Sequence, residues 1–232
     1  MNDIKQNLQE INARIRQAAE KSNRDPETVR LVAVTKTVPA EIVRQAIEAG
    51  VTILGESYVQ EARSKISAVS TVPAPVSWHF IGHLQTNKAR YAVQLFDLIH
   101  SVDSLKLAQE LNKEAGKIGK VQSILIQVNI AAEKTKSGAT TREIRTLASQ
   151  ISALSNLRVK GLMTMPPYFN NPEKARPYFD ELRALSKQIQ AKAAPNLSME
   201  ELSMGMSGDY EVAIAAGATL VRVGTAIFGE RK

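Results

Sequence analysis

Apolar residues follow two alternating spacings along the chain. Near the N-terminus they begin at Ile4 and recur at intervals of four, three and four residues as far as Ile15, which predicts an amphipathic helix over residues 2–22. The next apolar run, LVAVT at residues 31–35, is short and rich in β-branched residues. Such a run is typical of a strand that is buried on both faces of a parallel sheet.

The strand pattern occurs eight times. The runs lie at residues 31–35, 51–54, 77–82, 97–101, 123–129, 158–165, 201–206 and 219–224. Helical patterns separate them, at residues 39–49, 56–68, 86–95, 103–117, 140–154, 172–193 and 208–216. Strands that alternate with helices form right-handed βαβ units, and eight units favour a closed barrel over an open sheet. The sequence therefore predicts an α/β fold, a single (β/α)8 TIM-barrel domain over residues 1–232 with an extra N-terminal helix.

Composition narrows the class of protein. The chain has no cysteine, which excludes disulfides and thiolate metal sites and leads us to expect a cytoplasmic protein. Its N-terminus lacks the apolar core of a signal peptide, and no apolar run approaches the roughly 18 residues that a membrane helix needs. The net charge of +7 is spread among acidic residues, and aromatic residues make up only 5%. We therefore expect neither a nucleic-acid partner nor a membrane partner.

Active sites of α/β barrels lie at the carboxyl ends of the strands, so the residues that follow each predicted strand are the candidates. Lys36 directly follows the first strand, in LVAVTKT. One interpretation is an exposed lysine at the point where a strand meets solvent. The other is an amine that forms an imine with a carbonyl ligand. The residues alone leave both interpretations open.

Two loops rich in small residues follow the last two predicted strands. In MGMSGD, Ser207 and Gly208 would leave backbone N–H groups free for a phosphate, although a turn with Ser207 as a helix N-cap explains the same residues. Gly224 and Thr225 follow strand eight. Barrels often bind phosphate with the loops after strands seven and eight. The two loops together therefore predict a phosphate site.

An arginine and the three histidines also lie in or directly after predicted strands. Strand alternation places Arg222 on the same face as Gly224, so we expect it to point into the site, with a structural ion pair as the alternative. His83 follows the third strand, whereas His79 and His100 lie within strands and are interpreted as core histidines. The histidines have no metal-ligand spacing, so no metal site is predicted.

Several motifs together resemble a known family. They are LVAVTKTVP with Lys36, GESYVQE (55–61), WHFIGHLQTNK (78–88), HSVDS (100–104), GLMTMPP (161–167) and ELSMGMSGDYEVAIAAGATLVRVGTAIFGER (201–231). From about residue 28 to 231 the chain resembles the pyridoxal phosphate homeostasis protein family, the YggS/PROSC group. That family is similar to the N-terminal barrel of alanine racemase, a fold-type III protein that uses pyridoxal 5′-phosphate (PLP).

The resemblance implies a cofactor and its contacts. PLP would be held as a Schiff base on Lys36, with its phosphate in the two small-residue loops. Arg222 would lie near the ring nitrogen or the phosphate, and Ser57 stands where the family usually has Asn. The residues expected to bind the cofactor are Lys36, Ser57, His83, Met204, Ser207, Gly208, Arg222, Gly224 and Thr225. The methionines of strands six and seven, Met204 among them, are interpreted as packing residues rather than as a sulfur site.

Three functions use a lysine at this position. The resemblance implies a carrier that buffers or delivers PLP without turnover, with PLP-dependent apo-enzymes or a regulatory protein as further candidate partners. A fold-type III racemase normally needs a C-terminal β domain, and only eight residues follow Gly224, so we expect an open site and a monomer. The alternatives are a single-domain PLP-dependent racemase or transaminase, and a Schiff-base aldolase on the same fold.

Overall fold

The predicted strands form one closed parallel barrel. The computed structural model describes residues 3–133, 136–191, 194 and 196–229. Its strands are Arg30–Val34 (β1), Ile53–Glu56 (β2), Ser77–Phe80 (β3), Leu98–Val102 (β4), Gln122–Gln127 (β5), Leu157–Met163 (β6), Leu197–Ser203 (β7) and Leu220–Val223 (β8). They pair in sequence order, and β8 closes the barrel against β1 with Val32 opposite Arg222. This confirms the (β/α)8 barrel.

Helices lie outside the barrel, before β1, between successive strands and after β8. They are Ile4–Lys21 (α1), Ala40–Glu48 (α2), Val59–Val69 (α3), Ala89–Leu95 (α4), Leu105–Lys117 (α5), Ile144–Ile151 (α6), Arg176–Gln190 (α7), Tyr210–Ala215 (α8) and Thr225–Phe228 (α9). The extra helix α1 packs against α8 and α9 through the apolar face that the sequence predicts. Short 3-10 turns occur at Pro26–Thr28, Thr86–Lys88 and Pro172–Ala175.

Most strand boundaries differ by one to four residues from those that the apolar runs predict, and the starts of β2 and β7 show why. Val51 belongs to the turn after α2, because Gly50 has a φ of 102° and the Val51 N–H bonds to the Ala46 carbonyl, so β2 starts at Ile53. Strand β7 starts at Leu197 rather than at residue 201. The sequence pattern misses its first half because that half is only partly buried and has no apolar run.

Helix boundaries also differ from the prediction, by up to four residues, and one helix was not predicted. Helix α9 has only four residues, too few to show a helical period. The predicted helical stretch over residues 172–193 ends as a helix at Gln190, and its residues 192 and 193, like residue 2 of the first predicted helix, lie outside the described residues.

The barrel interior is built in layers. Six strands each contribute one residue to an apolar layer, namely Val32, Ile53, Leu98, Leu125, Met163 and Leu220. Two residues further along β4 and β8 lie His100 and Arg222, which point the same way because strand side chains alternate. Along β4 and β8 the interior therefore changes from apolar to polar toward the C-terminal ends of the strands. A larger apolar core separates the barrel from its helices.

Candidate functional site

A cavity of about 300 Å³ opens at the C-terminal ends of the strands. That volume lies at the lower end of the range typical for small-molecule sites. Seven of the nine predicted cofactor-binding residues line it: Lys36, Ser57, Ser207, Gly208, Arg222, Gly224 and Thr225. Residues that are far apart in the sequence thus meet at one rim, as the strand order of the barrel requires.

Lys36 is half-buried and lies two residues beyond the end of β1. On one side of it, the buried Thr35 donates a hydrogen bond from Oγ1 to Glu56 Oε1 at 2.7 Å. On the other side, Thr37 has a φ of 63°, in the left-handed region that β-branched residues rarely adopt, and its N–H donates to Glu61 Oε1 at 2.5 Å. The backbone is therefore fixed on both sides of the Lys36 side chain.

Lys65 of helix α3 ties these contacts together. Its buried ammonium donates to the Thr35 carbonyl, to Glu56 Oε1 at 2.7 Å and to Glu61 Oε1 at 2.6 Å. Burial raises the pKa of Glu56, and the hydrogen bonds from Lys65 and Thr35 oppose that rise. Sequence reasoning missed this cluster. Its signal is the Glu61–Lys65 spacing of four residues, which is more typical of an exposed helical pair.

The loops after β7 and β8 meet at Ser207. The Gly224 N–H donates to Ser207 Oγ at 3.4 Å, and Thr225 Oγ1 lies 3.2 Å from the same oxygen. Gly224 is the N-cap of α9, and no side chain of the described residues caps that helix end. This arrangement presents hydroxyl and backbone N–H donors from two loops, which suits an anion such as a phosphate.

Two glycines give these loops their shape. A Cβ at Gly208 would find only Tyr168 Cε2, at 4.0 Å, so the backbone there borders open space in the cavity. Gly205 has a φ of 90°, and a Cβ there would lie 2.6 Å from the Ala213 Cβ. Only glycine suits that turn, which directs the chain from β7 to the loop that carries Ser207.

Arg222 brings a buried positive charge to the cavity wall. Its guanidinium donates to Ser203 Oγ at 2.5 Å and to the Thr164 carbonyl at 2.9 Å. Burial lowers the pKa of Arg222 to about 10, and the nearby Asp209 carboxylate opposes this, so the side chain stays charged at neutral pH. Among the described residues no carboxylate lies within ion-pair distance of it. The structural ion pair that the sequence left open is therefore wrong.

The two strand histidines lie inside the barrel and contact each other. His100 Nε2 lies 3.0 Å from His79 Nδ1, and His100 Nδ1 lies 2.9 Å from Ser203 Oγ. Burial lowers the pKa of His79 to about 4 and holds that of His100 well below its usual value. Both rings are therefore neutral at pH 7. Their interpretation as core histidines is confirmed.

His83 and Met204 are not among the residues that line the cavity. His83 is exposed, with Nδ1 3.2 Å from Ser137 Oγ and 3.9 Å from Asp103 Oδ2. Because both partners approach the same ring nitrogen, they do not form a serine–histidine–aspartate relay. Met204 is fully buried in the core that separates the barrel from its helices. A contact between either residue and the cofactor stays a prediction.

Other residues complete the cavity wall. Met165 and Met206, rather than Met204, are the methionines that line it. Tyr168, at 83% exposure, stands at the mouth, and no sequence pattern pointed to it because it lies in an irregular loop. Asp209 also faces the cavity. Burial raises the pKa of its carboxyl group, while the Met206 N–H donates to it at 2.6 Å.

Two properties of the described residues bear on membrane and metal binding. None of their helices has the length and apolar character needed to cross a lipid bilayer. No group of three or more of their histidine, aspartate or glutamate side chains could hold a metal ion.

Comparison with known proteins defines the class first. The family model of the alanine racemase N-terminal domain matches residues 6–232, so the chain has the fold of that class of barrel. The pyridoxal phosphate homeostasis protein of Aquifex aeolicus is 44% identical over 225 residues, which cover 97% of each chain. This chain belongs to the pyridoxal phosphate homeostasis protein family.

Solved structures agree with that assignment. PipY of Synechococcus elongatus, solved with PLP bound, is 36% identical, has a TM-score of 0.84, and aligns over 98% of this chain and 100% of its own. Alanine racemase of Clostridium difficile is 15% identical with a TM-score of 0.75, and it aligns over all of this chain but only 57% of its own. The second likeness shows the fold alone.

Proposed function

We propose that this chain binds PLP at the mouth of the barrel, holds it covalently through Lys36, and acts as a PLP carrier in cofactor homeostasis. The observation that carries the proposal is the shared cavity of Lys36 and the two loops that meet at Ser207. A primary amine and an anion-binding loop on one rim are what a phosphorylated aldehyde requires. The family's name and the PLP bound to PipY support the same ligand.

The residues of the cavity fit the aldehyde, the phosphate and the ring of the cofactor. Bound PLP would supply an aldehyde, and the Lys36 amine would hold it through a C=N bond, with one water molecule released. Ser207 and Thr225 offer hydroxyl groups to the phosphate, and the Gly224 N–H, which donates to Ser207 Oγ, holds the two loops together. Arg222 adds a fixed positive charge. Ser57 forms part of the wall on the β2 side.

A carrier suits this site better than a racemase. Racemisation needs a second acid–base group held on the face of the substrate opposite to the lysine. Besides Lys36 and Arg222, two ionisable side chains line the cavity among the described residues, Tyr168 and Asp209. Most of the Tyr168 surface is in solvent, so it is not held in a water-excluded site, and Asp209 already accepts a hydrogen bond from the Met206 N–H. The curated relatives are also named for homeostasis and not for a reaction. We further propose a monomeric, single-domain protein that acts in the cytoplasm and delivers PLP to apo-enzymes or a regulatory protein.

The test is the Lys36→Ala variant compared with Lys106→Ala, which removes an exposed lysine of α5. After incubation with PLP, we expect yellow absorption for the wild type and Lys106→Ala, and none for Lys36→Ala. Borohydride reduction should add the cofactor's mass to the Lys36 peptide alone. An adduct on another lysine would contradict the attachment. Racemisation or transamination well above that of free PLP would favour the enzyme instead, and a colourless wild type would favour the aldolase.

A further inference from the structure

A chain of hydrogen-bonded side chains crosses the barrel interior behind the cavity. It starts at Arg222 of β8, passes through Ser203 of β7 and reaches His100 of β4 and His79 of β3, with successive contacts of 2.5, 2.9 and 3.0 Å. All four side chains are buried. Four strands thus contribute one polar residue each to a continuous path, and the cofactor-binding role proposed above uses only the first of them.

The available donors and acceptors define the direction of the hydrogen bonds along this path. A guanidinium only donates, so Ser203 Oγ accepts from Arg222 and has its own hydrogen left to give. If that hydrogen goes to His100 Nδ1, the neutral His100 ring carries its proton on Nε2 and donates to His79 Nδ1. The opposite direction would give Ser203 two donors and leave its buried hydroxyl hydrogen without an acceptor among these contacts. Unsatisfied buried groups are costly, so the first direction is favoured.

We propose that Ser203, His100 and His79 are positioning residues, which fix the plane of the Arg222 guanidinium so that its remaining N–H donors face the ligand cavity. The Thr164 carbonyl, at 2.9 Å, holds the second guanidinium nitrogen from the other side. Every group in this set is a neutral acceptor, so the positive charge is oriented without being cancelled. The inference rests on the proposed function, because it assigns PLP as the ligand that Arg222 faces.

The test compares two buried serines. Ser203→Ala removes the acceptor next to Arg222, whereas Ser101→Ala removes a hydroxyl that is equally buried and has no hydrogen-bond partner among the described residues. We expect Ser203→Ala to weaken PLP binding on the order of tenfold and to shift the visible absorption of the bound cofactor. Ser101→Ala should stay within about twofold of the wild type. Equal affinities for the wild type and Ser203→Ala would overturn the proposal.

A second pair of variants tests the proposal independently, in case Ser203→Ala fails to fold. Asparagine can place its amide oxygen near the position of His100 Nδ1, so His100→Asn should keep most of the PLP affinity that His100→Leu loses. Thermal unfolding of the cofactor-free variants separates a loss of fold from a loss of positioning. If His100→Leu bound PLP as tightly as the wild type, the positioning role would be rejected.

Ring nitrogen NMR of the cofactor-free wild type tests the chain without PLP. We expect the Nε2–H form for both His79 and His100, and an Nδ1–H form of His100 would overturn the direction argued above. A wild type that showed these forms but failed to bind PLP would refute the proposed function and leave the hydrogen-bond chain intact. The two failures are therefore distinguishable.

Discussion

Two buried cations flank the cavity, and their surroundings differ. Lys65 lies within 2.7 Å of carboxylate oxygens from Glu56 and Glu61, so its charge is compensated inside the protein. Arg222 is held by a hydroxyl and a carbonyl, and the Asp209 carboxylate acts on it only from a longer distance. Both side chains are almost inaccessible to solvent.

The comparison distinguishes a charge with a structural role, that of Lys65, from a charge that we propose binds the ligand, that of Arg222. Desolvating an ion costs several kcal/mol unless opposite charges and hydrogen bonds offset that free energy. The two carboxylates offset the desolvation of Lys65, which fixes the backbone around Lys36. Neutral acceptors offset only part of the desolvation of Arg222, and an anionic cofactor would offset the remainder. Stability should therefore depend on Lys65, and cofactor affinity on Arg222.

The largest expected effect is that of Lys65→Met on stability. The substitution leaves Glu56 buried beside no cation, which should cost about 3–5 kcal/mol and lower the Tm of the cofactor-free protein on the order of 10 °C. Differential scanning calorimetry measures it. The double variant Glu56→Gln with Lys65→Met should recover much of the loss, because it removes the stranded charge. A single variant as stable as the wild type would break the comparison.

The next effect is that of Arg222→Met on affinity. Losing a charged donor that faces the ligand should weaken PLP binding roughly 10- to 100-fold. The Tm of the cofactor-free protein should fall far less than for Lys65→Met, since no carboxylate loses its partner. Equilibrium dialysis against PLP measures the affinity, and Arg222→Lys, which keeps the charge, should retain part of it. An unaltered dissociation constant would show that Arg222 does not face the ligand.

The smallest effect is a pH dependence of stability from His79. Its folded pKa of about 4 lies below the ordinary value of 6.5, because burial disfavours the charged ring. The contribution of the neutral His79 ring to the free energy of unfolding is therefore complete above pH 6.5 and is lost as the pH falls toward 4. Between pH 7 and pH 5 this ring should account for about 2 kcal/mol. Urea unfolding at both values measures the loss, and His79→Gln, which does not titrate, should lose less.

The sequence predicts the barrel and most of the cavity because both follow from strand order. Lys36, Ser207 and Arg222 come from strand ends or strand alternation, and a closed barrel brings such positions to one rim. His83 also follows a strand, yet its exposed ring contacts Ser137 instead of facing the cavity. The direction of a loop side chain depends on loop conformation, which hydrophobic periodicity does not encode.

The buried polar groups were harder to predict for a different reason. Lys65 has the spacing of a surface ion pair, and its burial becomes evident only when α3 packs against β2 and the residues around Lys36. The sequence places His79 and His100 in strands, but their contact requires neighbouring strands in a particular register. Such contacts depend on distances across the fold and not on any local pattern.

The pairing of β8 with β1 has a consequence for how the protein is made. A ribosome releases Lys36 early, but Gly224 and Thr225 follow almost 190 residues later. The two loops that meet at Ser207, where we propose that the phosphate binds, come together only after the last strand has joined the first. A nascent or truncated chain that lacks this strand therefore has the Lys36 amine without the two loops that meet at Ser207. Loading with cofactor would thus report that synthesis and folding are complete.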